Sequence, residues 1–197
     1  MPEEKKVIPY KVQKGNRPKI EEVIDYCLDG DLQTAALDFA AYMRKSKMPF
    51  GACTSSSTRG RSANYKGERI CSIFVYAEDD WKYVGQHNPG DAQYWIVTPE
   101  LIHINKYDKV AINEGLQNIL WDNINYCTHY RGNGIGCSPN KRCAGGRDLT
   151  ILGKEFNGIR WCGSHSSIKN PDEAAIKAIK RLLELEQQAR DENIENK

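Results

Sequence analysis

Cys127, Cys137, Cys143 and Cys162 fall in one short stretch, with His129 and His165 close beside them. Thiolates are soft ligands, and four gathered together suit a tetrahedral zinc ion with no position left open for water. The chemistry such a set implies is therefore a structural metal clip rather than a catalytic centre. The spacing is C-x9-C-x5-C-x18-C, which lacks the paired C-x2-C knuckles of a zinc finger. Cys127, Cys137, Cys143 and Cys162 form the first-choice ligand set, and His129 or His165 could replace one thiolate. Two other readings of the same residues stand beside it. Free cysteine is readily buried as a small apolar residue, and a reactive thiol requires an electropositive, partly exposed setting. Seven glycines between Gly132 and Gly158 give the backbone freedom to wrap an ion. No apolar stripe is evident there, so the stretch reads as a loop that metal must hold in place of a hydrophobic core.

The compartment bears on the same question. Met1-Pro2-Glu3-Glu4-Lys5-Lys6 has no apolar run behind it, and no segment reaches the roughly 20 apolar residues of a membrane helix. A cytoplasmic location is the expectation. In a reducing compartment seven cysteines are not a disulfide framework, and the odd count agrees. Cys27, Cys53 and Cys71 sit in apolar surroundings and read as core residues.

The chain has 197 residues and a formal net charge of +2, which gives no general reason to expect a polyanion partner. Locally, Arg131, Lys141, Arg142 and Arg147 make the cysteine-rich stretch basic. An anion-binding or nucleic-acid surface there is the less favoured reading, a solvated charged face being commoner. The run Thr54-Ser55-Ser56-Ser57-Thr58-Arg59-Gly60-Arg61 reads first as an exposed hairpin loop, with an anion-holding pocket as the alternative. Arg131-Gly132-Asn133-Gly134-Ile135-Gly136 follows a helix rather than a strand and matches neither nucleotide-binding fingerprint. His87 and His103 belong to no motif. The aromatics Tyr65, Phe74, Tyr76, Trp81, Tyr83, Tyr94 and Trp95 suit sheet packing more than a cofactor box.

The elements that must position these residues follow from periodicity. Ile20, Val23, Ile24, Cys27 and Leu28 form a helical stripe after Pro18. Leu32, Ala36, Phe39, Ala40 and Met43 form a second, with Asp31 as a candidate cap. From Phe50 to Pro99 the pattern becomes strand-like, near 50–55, 61–66, 69–77, 81–85 and 93–98. A tight turn is expected at Lys66-Gly67-Glu68, and 69–77 is the expected central strand. A third helix is expected over 109–125, and a last one after Asn170-Pro171, with Asn170 as cap. The expected fold is α+β: an antiparallel meander of about five strands flanked by helices, with a cysteine-rich loop before the C-terminal helix. Residues 1–16 read as an arm and 17–197 as a single domain, with 126–165 the cysteine-rich insert and 187–197 a frayed tail.

The combination Trp121-Asp122-Asn123-Ile124-Asn125-Tyr126-Cys127, then Cys137-Ser138-Pro139-Asn140-Lys141, then Ile151-Leu152-Gly153-Lys154-Glu155-Phe156 resembles a group of small bacterial cytosolic proteins with a C-terminal cysteine-rich loop. A helical segment similar to 37–47 and the Tyr65-Lys66-Gly67 turn belong to the same likeness, which covers residues 35–185. Asn140 stands where that group carries glycine, and its first two cysteines lie closer together than Cys127 and Cys137. The resemblance implies a shared α+β domain and cysteines acting as a unit, and it carries no activity. The leading expectation is a zinc-stabilised domain that binds a small ligand or a protein without catalysis. The alternatives are an enzyme acting on a small molecule in a cleft between sheet and cysteine loop, and a nucleic-acid-associated zinc module.

Overall fold

The computed structural model of the protein describes residues 18–51, 60–76, 93–127, 146–160 and 164–195. The expected N-terminal arm lies outside them. The sequence alone gives no reason to divide 17–197, but the chain packs as two compact units. The first is Met1–Val97 with Lys169–Glu173, and the second is Thr98–Ile168 with Ala174–Lys197.

In the first unit, α1 (Ile20–Cys27) starts after Pro18, and the Lys19 amide donates to the Glu22 carboxylate at 2.9 Å, closing the first turn. It buries Ile20, Val23, Ile24 and Cys27, the expected stripe. The second helix, α2 (Gly30–Lys45), begins earlier than expected, so that Asp29 rather than Asp31 occupies the cap position. It buries Ala36, Phe39, Ala40 and Met43. The helix ends on Lys47 at φ 59°, with the Lys47 amide bonded to Arg44 O and the Met48 amide to Met43 O. This is a Schellman stop built without glycine.

The sheet of this unit has the order β1 (Gly60–Tyr65), β2 (Glu68–Tyr76), β3 (Tyr94–Pro99), β6 (Ile168–Lys169). Strands β1 and β2 are antiparallel and joined at Lys66-Gly67 with φ of 50° and 86°, the two positive values of a type I′ turn. As expected, β2 is an interior strand, and Ile70, Cys71, Ile73 and Val75 are buried along it. Of the expected strand at 50–55, the described part shows one bridge, Phe50 to Ala63. The expected strand at 81–85 lies outside the described residues. Asn170 does not cap the last helix. It sits at φ 43° and exchanges two hydrogen bonds of 2.9 Å with the Trp95 backbone, one through its side-chain oxygen. Trp95 is fully buried, its ring 5.9 Å from that of Phe39. The aromatics of this sheet are packing residues.

In the second unit the expected helix over 109–125 is broken. A 3-10 turn at Ile104–Lys106 precedes α3 (Asp108–Asn113) and α4 (Gln117–Trp121). The break is at Gly115, φ 71°, where the Gly115 amide bonds Ile112 O and the Leu116 amide bonds Ala111 O. Glycine enters the left-handed region at no steric cost, so a Schellman stop outcompetes continuation here.

The larger correction concerns the second half of the cysteine-rich stretch. Residues 146–160 form a hairpin, β4 (Gly146–Ile151) and β5 (Lys154–Arg160), turning on Leu152-Gly153 at φ of 48° and 79°. Ile151, Leu152, Phe156 and Ile159 are buried with Leu116, Leu120, Leu182, Leu185 and Ala189 in one core. This half does have a hydrophobic core. Its apolar residues show no simple period because a two-residue turn and an irregularity between Arg147 and Leu149 shift the alternation.

The last helix, α5 (Glu173–Glu195), continues past the point where fraying is expected, with Ala189 and Arg190 buried. Arg190 Nε donates to Glu186 Oε1 at 2.9 Å, and both side chains are almost wholly shielded from solvent. A paired charge reads as surface in a sequence, and here it is interior. Among the described residues no helix is long and apolar enough to cross a membrane.

Candidate functional site

The described part of the cysteine region is organised by Asn125. Residues 124–127 run antiparallel to β5, bridging Tyr126 to Ile159, with the Arg160 amide bonded to Asn125 O at 2.7 Å and the Cys127 amide to Gly158 O at 2.7 Å. The same short segment then pairs with the chain that returns after residue 163. The Asn125 amide donates to His165 O, and Ile124 bridges Ser166. Arg160 and His165 are thus held by the carbonyl and the amide of one residue. The Asn125 side chain adds two bonds of 2.8 Å, to Ser164 O and to Ser167 Oγ. Along an extended segment residues i and i+2 share a face, so Cys127 lies on the same face as the Asn125 amide group.

Of the expected ligands, Cys127 is placed here, half-buried. Cys137, Cys143, Cys162 and His129 lie outside the described residues, as do Arg131, Lys141, Arg142 and Cys53. Among the described residues no group of three His, Cys, Asp or Glu could hold a metal. Cys27 and Cys71 are buried core thiols, as expected. Arg61, a candidate for holding an anion, is buried and donates to Gly60 O at 2.9 Å and Pro18 O at 2.7 Å, so its guanidinium serves the backbone.

The hairpin that carries this junction depends on Gly146. A methyl group at Gly146 would lie 2.7 Å from Gly158 O and 2.8 Å from Gly158 Cα, where only backbone movement could relieve the clash. Gly146→Ala is expected to destabilise the protein by about 1–3 kcal/mol, read as a shift of the urea midpoint.

His165 does not stand free as a ligand. Its Nε2 is hydrogen-bonded to Arg147 Nη2, and a guanidinium can only donate, so Nε2 is the acceptor. Burial lowers the pKa of His165, and the charge of Arg147 lowers it further, while Glu100 opposes them. The sign is that of a group kept neutral in the folded state. Below about pH 6.5 the unfolded chain takes up a proton that the folded chain resists. The stability from this contact is complete above that pH and is lost as the pH falls towards the depressed folded value. Denaturation midpoints at pH 7.5 and 5.5 should differ more for the native protein than for His165→Gln.

Next to His165, Ser164 Oγ donates to the Glu100 carboxylate. His165 and Ser166 form the polar end of a shallow surface depression of about 30 Å³, room for about one water, whose other walls are Pro99, Leu101, Ile104, Leu120 and Ile151. Glu100 O accepts from Arg190 at 3.1 Å. This links the rim of the depression to the buried pair on α5, where Tyr107 Oη and the His103 amide both donate to Glu186 Oε2, at 2.8 and 3.1 Å. Burial, then the Glu186 charge, raises the Tyr107 pKa, so the phenol stays protonated as a donor.

No family model, no curated protein and no solved structure matches this chain. The site therefore rests on its own geometry. Sequence reading missed Asn125, Glu100, Ser164 and the Glu186–Arg190 pair as organising residues. Asn125 and Ser164 are separated by 39 positions and His103 and Glu186 by 83, so no local spacing announces them. Only the i, i+4 relation of Glu186 and Arg190 could have been noticed.

Proposed function

We propose that the protein is a cytoplasmic, zinc-stabilised binding domain without catalytic activity. Its metal is held by Cys127, Cys137, Cys143 and Cys162, and what it binds is a small ligand or a protein. The Asn125 junction carries this reading. Arg160 and Ser164, the described residues nearest Cys162 on either side, both bond Asn125, two residues before Cys127. Two residues of chain span at most about 7 Å, a short reach that supports Cys162 and Cys127 as ligands of one ion. Gly146 is the strand partner of Arg160, and Cys143 lies three residues before it, so a third thiol starts from the same end of the hairpin. The Arg147 bond to His165 Nε2 supports four thiolates over His165 as the histidine substitute.

Binding is favoured over catalysis because the imidazole is compromised in both roles. Its Nε2 lone pair is engaged by Arg147, and its protonated form is disfavoured. The described basic residues give little support to a nucleic-acid surface. Arg147 faces His165, and Lys154 Nζ lies 5.0 Å and 5.2 Å from the ring centroids of Trp121 and Phe156.

Metal analysis of the purified protein tests the reading. About one equivalent of zinc is expected, with the four thiols protected from alkylation in the native state. Protein free of metal, with Cys127, Cys137, Cys143 and Cys162 all reacting natively, would overturn it.

A further inference from the structure

We propose that Asn157-Gly158 is a self-modification site, at which the Asn157 side chain loses its nitrogen as ammonia with the Asp148 carboxylate as general base. The pair lies in β5, where the ladder with β4 is irregular. Arg147 pairs with Ile159 and Leu149 with Phe156, so two residues, Asn157 and Gly158, stand against Asp148 alone. That is the arrangement of a β-bulge, which bends its strand and re-aims side chains. Gly158 takes φ 77°, a conformation glycine enters without steric penalty. Its amide donates to Asp148 Oδ1 at 3.0 Å. A carboxylate oxygen thus holds the hydrogen of the backbone nitrogen that follows an asparagine.

Those atoms define the reaction. Attack of the Gly158 nitrogen on Asn157 Cγ closes a succinimide ring, and glycine has no side chain to hinder the approach. An amide nitrogen is a weak nucleophile because its lone pair is shared with the carbonyl. It becomes acidic as the N–Cγ bond forms, and Asp148 Oδ1 is within hydrogen-bond reach to take the proton, as a general base must be. The Cγ–Nδ2 bond then breaks, the proton passes to the departing nitrogen, and ammonia leaves. Water opens the imide at either carbonyl, leaving aspartate or isoaspartate at position 157. Asn157 is exposed, so its amide is free to rotate and water reaches the ring. The product acts on the Cys127 segment. Gly158 O accepts from the Cys127 amide at 2.7 Å, and a methyl group at Gly146 would meet Gly158 Cα at 2.8 Å. Isoaspartate adds a methylene to the main chain just before Gly158, where the packing has no slack.

The test ages the purified full-length protein in neutral buffer at physiological temperature and follows residue 157 by peptide mapping and mass spectrometry. Asp148→Asn keeps an acceptor oxygen for the Gly158 amide but removes the base. It should deamidate at Asn157 at least about 10-fold more slowly than the native sequence when both are folded. In concentrated urea, where Asp148 is no longer held against Gly158, the two rates should agree within about 2-fold. Amide exchange at Cys127 should quicken as the native protein ages and stay constant in Asn157→Ala, which cannot form the imide. Equal rates in the two folded proteins, or a faster rate in Asp148→Asn, would overturn the role of Asp148. An Asn157 that stays intact in the folded protein and deamidates only in urea would overturn the site.

Discussion

Glu186→Ala should cost the second unit about 3–5 kcal/mol, the loss expected when one partner of a buried ion pair is removed. Glu186 is fully buried and each of its oxygens is used: Oε1 by Arg190, Oε2 by the Tyr107 hydroxyl and the His103 amide. Alanine removes the carboxylate and leaves the Arg190 cation inside the protein, 3 % exposed. It also strips acceptors from a buried phenol and a backbone amide, which adds to the loss. The double variant Glu186→Leu with Arg190→Met should recover much of the stability, since an apolar pair of similar volume removes the uncompensated charge. Urea unfolding of the three proteins measures this. A loss in Glu186→Ala below about 1 kcal/mol, the value of an exposed pair, would show that the network contributes little. By contrast, Arg181 and Glu114 form a close bidentate pair at 2.7 and 2.8 Å on the surface, and breaking it should be nearly silent.

Removing the proposed zinc should have the second large effect, and the hairpin defines where it falls. Binding to the folded state alone adds about 4 kcal/mol when free zinc is 1,000 times the dissociation constant. A stretch with no core of its own would unfold altogether on chelation, as a zinc finger does. Here Ile151, Leu152, Phe156 and Ile159 are packed with Leu182 and Leu185 in an apolar core. Chelation is therefore expected to lower the unfolding midpoint without abolishing the fold. Amide exchange should accelerate first at Cys127 and Arg160, whose amides bond Gly158 O and Asn125 O around the Cys127 segment. Amides within α5 should remain protected. Cys127→Ser should reproduce this pattern in the presence of zinc. Unchanged exchange at Cys127 and Arg160 after complete chelation would separate the metal from this junction.

These two expectations differ in how far the sequence could reach them. The stripes of α1 and α2, the Lys66-Gly67 turn and the interior position of β2 were legible because each depends on neighbours in the chain. A helix shows its buried face every three or four residues, and a tight turn shows its glycine. The hairpin at 146–160 was illegible because Gly146, Gly153 and Gly158 suggest a loop. The structure uses Gly153 for a type I′ turn and Gly146 for close approach to Gly158. The break at Gly115 was missed because the apolar pattern continues on both sides of it.

The site divides in the same way. Residue type alone points to the cysteines as the proposed metal ligands, because thiolate softness and coordination preference belong to the side chain wherever it sits. The sequence also determined that Cys27 and Cys71 are ordinary core residues. Only the tertiary structure decided that Asn125 gathers the two sides of residues 161–163 beside Cys127, that Arg147 fixes the tautomer of His165, and that Glu186 and Arg190 are interior. Each of these depends on which distant segments share a hydrogen bond in the folded chain. One-dimensional spacing carries no record of such pairings, because burial and strand register are set by the packing of the whole unit.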